Sequence, residues 1–339
     1  MTIDLRSDTL SLPTAPMKAA MMEAPLGDDV WGEDPSVNAL QEKMADLFGV
    51  SAALFCPSGT MCNQIAIRLS TRPQDQVICD ETAHIYLYEG GGIAANSLAS
   101  VKLLKGDRGR LDVDMVKAAV NPADQHFPRT SLVALENTSN KGGGSCYSLS
   151  QIANISMFCR EQGLRLHLDG ARLFNALVAT GDSPKEYGKY FDTISICLSK
   201  GLGAPVGSVL LFREEERFDA MRIRKLMGGG MRQVGMLAAA GIYALDHHVE
   251  RLAEDHQHAA IIGKILNDCD WVKDVMPVET NIICFQPDPE RYDLETVLFR
   301  LKEQNILAAR FGYGFIRFVT HIGISGDMIE RLGGVLLGL

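Results

Sequence analysis

The sequence predicts an α/β protein: a large domain on a mostly parallel seven-stranded sheet between helices, then a small C-terminal α/β domain. Three observations carry that prediction. Short apolar runs alternate with helix-length amphipathic segments, the pattern of βαβ units. At 339 residues the chain is long for one domain. Past about residue 250 the alternation gives way to a long, charge-rich helix and a second, shorter α/β succession. The expected division is therefore 1–250 for the N-terminal segment and large domain and 251–339 for the small one.

Taken in order, seven β-rich runs fall at 52–55, 76–79, 101–104, 131–135, 164–168, 193–197 and 208–212. Helices are expected at 37–48, 61–70, 112–120, 150–162 and from 214 onward. The first opens well, with Asp34 as an N-cap and Pro35 in the first turn. Beyond it come a helix over 249–269, an apolar run at 280–286, a helix from 294, a strand at 315–320 and a final helix from 327. No Pro- or Ser-rich linker separates the two parts, so the long helix is expected to make the join.

Composition narrows the function classes. The chain carries 42 acidic and 33 basic side chains and a net charge of −9, which is not the footprint of a nucleic-acid binder. The longest near-continuous apolar run, 234–245, is too short to cross a bilayer, and MTIDLRSDTL has no apolar core of a secretory signal. Eight Cys occur in apolar stretches without a CxxC pair, which is reduced-thiol usage and gives neither a disulfide nor a zinc framework. His247, His248, His256 and His258 lie on charged helical stretches and make no metal site. A soluble, cytoplasmic protein without metal or membrane partner is the expectation.

Gly201, Gly203 and Gly207 could be taken for a dinucleotide loop. A nicotinamide fingerprint needs strand, glycine turn and helix, whereas here a second strand follows, with Pro205 in the loop. A hairpin turn is the better reading. Gly90–Gly92, Gly142–Gly144 and Gly228–Gly230 read as turns and close backbone contacts.

The chemistry gathers at the ends of two runs. One closes in Asp169-Gly170-Ala171-Arg172, the other in Ser199-Lys200-Gly201, and the 31-residue interval allows one helical crossover. Asp169 and Lys200 can thus meet in one crevice at the carboxyl edge of the sheet. They form either an ion pair or a pyridoxal-phosphate site, in which a lysine amine bonds the cofactor aldehyde and an aspartate keeps the ring nitrogen protonated. Ser58, Gly59 and Thr60 open a helix after a strand, as a phosphate cup or an ordinary N-cap. His84, just past the second strand, can stack on a cofactor ring or cap a helix. Arg317, on an apolar strand, needs an anion: a substrate carboxylate or an internal acid.

With these residues in place, the sequence closely resembles the low-specificity L-threonine aldolases, fold-type-I pyridoxal-phosphate enzymes of the aspartate aminotransferase superfamily. The segments responsible are Asp4-Leu5-Arg6-Ser7-Asp8-Thr9, Gly27-Asp28-Asp29-Val30, Ser58-Gly59-Thr60, Leu135-Glu136-Asn137-Thr138, His167-Leu168-Asp169-Gly170-Ala171-Arg172, Cys197-Leu198-Ser199-Lys200-Gly201-Leu202-Gly203, Gly228-Gly229-Gly230-Met231-Arg232-Gln233 and Arg317-Phe318-Val319-Thr320-His321. They stand in family order and span almost the whole chain.

The resemblance implies pyridoxal 5'-phosphate as cofactor and retro-aldol cleavage of L-threonine, L-allo-threonine and related β-hydroxy-α-amino acids to glycine and an aldehyde. The alternative on the same scaffold is a β-eliminating lyase. Lys200 would be the imine lysine, Asp169 the ring-nitrogen partner and His84 the stacking residue. Ser58, Gly59 and Thr60 would hold phosphate with Arg232, which in this family reaches in from a neighbouring subunit of a homotetramer. Ser7, Arg172 and Arg317 would hold the amino-acid carboxylate. His126 and His84 are the bases expected for the β-hydroxyl. Two departures stand out: Ser139 where relatives carry His, and Trp31 where they carry Tyr, at the substrate mouth.

Overall fold

The computed structural model describes residues 2–312 and 314–339. After a two-residue strand, β1 (Ile3–Asp4), the large sheet is built from β2 (Ala52–Cys56), β3 (Gln76–Asp80), β4 (Ser100–Leu104), β5 (Thr130–Glu136), β6 (Arg165–Gly170), β7 (Thr193–Cys197) and β8 (Ser208–Phe212). Their order is β2-β8-β7-β6-β5-β3-β4, and β8 alone runs against the rest. The seven strands lie within two residues of their expected limits. Six of them lack a polar face and are buried along most of their length, because helices cover both sides of a parallel sheet. The edge strand β4 is the exception, half exposed along its length.

Helix starts follow local chemistry. Asp34 caps the helix Pro35–Phe48, its Oδ1 accepting the N–H groups of Ser36 and Val37 at 3.1 Å. Its Oδ2 accepts from Gly235 at 2.9 Å, which ties this helix start to the helix Gly235–His247. The expected join is the helix Leu252–Asp268. Short helices such as His84–Leu87 and Gly92–Ser97 were not legible as elements, because Gly90 and Gly91 between them take positive φ.

The C-terminal part adds β9 (Val272–Val275), β10 (Ile282–Pro287), β11 (Ile306–Leu307), β12 (Ala309–Phe311) and β13 (Phe315–Val319). Four of these form an antiparallel sheet in the order β12-β13-β10-β9, and β11 pairs parallel with β1. Ile3 and Leu5 are fully buried in one apolar cluster with Ile262, Phe285, Phe318 and Leu332. Each contributes about 1.5–3 kcal/mol of transfer energy to that attachment. The N-terminal strand is therefore anchored on the C-terminal core, and residues 6–9 follow from a fixed point. Among the described residues no helix is long and apolar enough to cross a membrane. All eight cysteines are unpaired and buried.

Candidate active site

The parallel strands end together, so the residues that close them share one edge. Glu136 and Asp169, the last residues but one or none of β5 and β6, are register partners. Lys200 follows β7 in a turn held by Gly203 N–H to Lys200 O at 2.8 Å. β8 returns antiparallel beside β7, but the link 198–207 is a loop of ten residues and no tight turn; near its end Gly207 has φ +116° and a Cβ there would stand 2.5 Å from the Phe55 ring.

A cleft of about 330 Å³ opens at this edge, lined by Ser7, His84, Arg172, Lys200 and Arg317 together with Glu136. These five residues expected from sequence are thus brought together. Among the described residues Lys200 makes no ion pair, which removes the Asp169–Lys200 salt bridge as an alternative.

Asp169 is buried behind the cleft and held by a chain of hydrogen bonds that sequence reading missed. Thr193 Oγ1 donates to His167 Nδ1 (2.8 Å), His167 Nε2 donates to Asn63 Oδ1 (3.1 Å), and Asn63 Nδ2 donates to Asp169 Oδ2 (2.9 Å) and Glu89 Oε1 (2.8 Å). Burial lowers the His167 pKa to about 4, which keeps that imidazole neutral in this relay. The second Asp169 oxygen accepts from Ala171 N–H at 3.1 Å.

His84 Nδ1 lies 3.0 Å from Glu89 Oε1, and polar atoms of His84, Glu89 and Asp169 all lie within 4.8 Å of one another. Burial opposes the charged imidazole, but the Glu89 hydrogen bond and the charges of Asp169, Glu89 and Glu136 prevail and raise its pKa above 6.5. Glu136 accepts the backbone N–H groups of His84 and Asn140, each at 2.7 Å. Burial and the Asp169 charge push its pKa up to about 7, despite those two bonds.

Arg172 and Asp8 form a fully buried bidentate pair, with Nε and Nη2 each 2.7 Å from a carboxylate oxygen. Asp8 comes from the N-terminal segment, and the sequence offers no sign of this partnership across 164 positions. Burial would raise the Asp8 pKa; the Arg172 guanidinium, with the Lys200 charge and an Asn281 bond, holds it at about 2. Asp8→Ala would leave Arg172 buried and unpaired, and a loss of about 3–5 kcal/mol is expected in urea unfolding. Because the folded pKa is depressed below 3.8, the pair's stabilisation is complete above about pH 4 and lost as pH falls towards 2. Asp8→Asn should flatten that acid limb.

Among the described residues Arg317 has no acid partner: Nη1 donates to Asn140 Oδ1 (2.8 Å), Nη2 to the Arg6 carbonyl (2.9 Å), and Nε is buried without one. Burial, with Arg172's charge behind it, lowers its pKa, so an anion in the cleft would relieve an unfavourable cation.

Ser58 caps the helix Gly59–Ser70 by accepting Met61 N–H at 3.2 Å. The N–H groups of Gly59 and Thr60 have no protein acceptor among the described residues, as expected at a helix start. A Cβ on Gly59 would lie 3.6 Å from Ser208 Oγ, which is buried without a partner, and Ser208 pairs with Cys197 close to Lys200. A free amine, a buried carboxylate and a run of unfilled donors fit pyridoxal phosphate: amine for aldehyde, carboxylate for ring nitrogen, donors for phosphate.

Three expected residues stand elsewhere. His126 precedes β5, at the amino edge of the sheet, and its side chain is 76% exposed with Nδ1 2.6 Å from Asp124. Within one subunit it therefore does not reach the cleft, since a parallel strand carries its two ends to opposite edges. Trp31 is 76% exposed and does not line the cleft, and Arg232 pairs with Asp28 at 2.9 Å on that same surface. Ser139 is buried, its Oγ accepting Gly142 N–H and packed against Gly109, so it offers the cleft nothing.

Comparison with known proteins places the chain in a family and a fold. Residues 4–288 match the family described as beta-eliminating lyase. A low specificity L-threonine aldolase of Escherichia coli (strain K12) is 43% identical, covering 97% of both chains. A probable low-specificity L-threonine aldolase 2 of Arabidopsis thaliana is 38% identical, covering 97% of this chain and 94% of its own. A solved structure of Leishmania major threonine aldolase superposes with a TM-score of 0.85 over 98% of each chain at 22% identity, a likeness of fold.

Proposed function

The chain belongs to the beta-eliminating lyase family, among its low-specificity L-threonine aldolases, and from that premise we propose that the cleft cleaves L-threonine and L-allo-threonine to glycine and acetaldehyde with pyridoxal 5'-phosphate. The observation that carries it is Lys200, without an ion pair, in the same cleft as Arg317, with Asp169 fixed behind it. Lys200, Asp169, Ser58, Gly59 and Thr60 would hold the cofactor. Bound there, pyridoxal phosphate supplies the electron sink that makes breaking Cα–Cβ affordable.

The chain's own residues do the rest. Arg317, with Ser7 and the remaining nitrogen of Arg172, fixes the substrate carboxylate and so sets which bond at Cα is aligned to break. Asp8 holds Arg172 in place for that task. His84 takes the β-hydroxyl proton, and the Asn63–Glu89 network orients its ring. A proton acceptor must be neutral, so kcat/KM is expected to rise with pH through the raised His84 pKa. His84→Asn should remove that limb and lower kcat about 10²–10⁴-fold. A limb that survives belongs to Glu136, which sheds its proton near pH 7, and would take His84 out of this role.

We also assign Arg232 and Trp31, with His126, to completion of a neighbouring subunit's site in a homotetramer. Their exposure here supports that reading. Eight buried free thiols support a reducing compartment such as the cytoplasm.

Aldehyde release from both threonine epimers, with pyridoxal phosphate supplied, tests the function. Aldehyde and glycine in equal amounts are expected. 2-Oxobutyrate and ammonia in their place would mean β-elimination.

A further inference from the structure

We propose that Lys141 fits this cleft to β-hydroxy-α-amino acids whose β-carbon carries a carboxylate, the smallest being 3-hydroxyaspartate. The proposal rests on the aldolase reading and names a substrate class within it.

The cations lining the cleft can be paired off one by one. Arg172 is neutralised by Asp8, and Arg310 by Glu295. Lys200 is the amine for the cofactor, and Arg317 is the anchor for the α-carboxylate. Lys141 is left over: it lines the cleft, and among the described residues it has no carboxylate partner. Among the described residues the one acid lining the cleft, Glu136, is engaged with two backbone N–H groups.

What Lys141 does touch are rings. Its ammonium stands 4.2 Å from the Phe311 centroid and 5.5 Å from that of Tyr88. A ring face attracts the charge without neutralising it, and the two rings restrict a side chain that is otherwise flexible. An anion arriving there meets a cation already held in place, which reduces the ordering cost of binding. The Arg317 guanidinium leans on the same Phe311 ring, 4.8 Å from its centroid. One ring thus spaces two cations, as the two carboxylates of a short diacid require.

The loop is also pinned. Asn140 N–H bonds Glu136, Gly142 O accepts Arg108 Nε at 2.9 Å, and a Cβ on Gly142 would stand 1.9 Å from Arg108 O. Only glycine allows that approach, so the backbone of Lys141 is fixed on both sides.

The reaction balances without a co-reactant. The Cα–Cβ bond of 3-hydroxyaspartate breaks, the hydroxyl loses its proton and becomes the carbonyl of glyoxylate, and Cα takes one proton to give glycine. Nothing is oxidised or reduced from outside.

The test compares kcat/KM of the holoenzyme for 3-hydroxyaspartate and for L-threonine in wild type, Lys141→Met and Lys141→Arg. Methionine keeps length and ring contact but removes the charge, and arginine restores it. The wild type should release glycine from both substrates. Lys141→Met should lower the hydroxyaspartate-to-threonine ratio about 10- to 100-fold, mostly through KM, while Lys141→Arg holds it within a few-fold of wild type. An unchanged ratio in Lys141→Met, or a wild type that cleaves threonine and not hydroxyaspartate, overturns the proposal alone. No glycine from either substrate overturns the aldolase reading as well.

Discussion

Lys200→Ala is expected to lower glycine release by roughly 10⁴-fold or more, the scale on which enzymes lose rate when a covalent nucleophile is removed. The fold should survive the change. Lys200 is only partly buried, makes no ion pair and packs no core cluster, so the urea midpoint of the apoprotein should stay close to wild type. Lys200→Arg separates two roles. It restores positive charge near Asp8 but offers no usable amine at neutral pH, and should be as inactive as alanine. Activity recovered by arginine would mean that Lys200 acts as a charge alone. Near-normal turnover by Lys200→Ala would sink the assignment.

The second large effect is expected at Asp169. Three carboxylates converge here, Glu136 lining the cleft and Asp169 and Glu89 buried behind it, with the His84 ring beside them. Such a cluster has room for a positive charge, which a protonated cofactor ring nitrogen would supply. Asp169→Ala deletes the nearest acceptor, and a kcat loss on the order of 10²–10³-fold is expected with cofactor saturating. Asp169→Asn should do little better. Its amide would set N–H donors against those of Asn63 and Ala171, in the one place where both Asp169 oxygens accept. A rate close to wild type in cofactor-saturated Asp169→Ala would contradict the electron-sink role.

How far the sequence reaches is visible residue by residue. The large sheet is legible because the strands around the site are buried on both faces and read as continuous apolar runs. A charged residue just after such a run, like Asp169 or Lys200, marks the carboxyl edge. The same logic finds Arg317 inside β13, where an Arg among apolar neighbours stands out. Its partners were not legible, since an amide and a carbonyl leave no mark on local pattern. Nor was Asp8 as the counter-charge of Arg172, or Asn63 as the support of Asp169, because pairing across 164 or 106 positions is a property of the fold. Lys141 hid in a glycine-rich loop that reads as a turn, and its two rings come from distant segments. His126 and Trp31 were assigned by matching a pattern, which gives a position in the chain and says nothing of where the fold carries it; both are exposed and neither lines the cleft.

The pairing of β1 with β11 also sets a clock. Ile3 faces Ile306, so during synthesis β1 waits for a partner made about 300 residues later before it has a sheet to join. At about 5–20 residues per second that interval is roughly 15–60 s. Arg172 emerges partway through it, but Asp8 then has no anchored strand to hold it there, and Arg317 comes later still. The nascent protein can fold its large sheet early, yet the cleft is complete only after β11 and Arg317 have emerged.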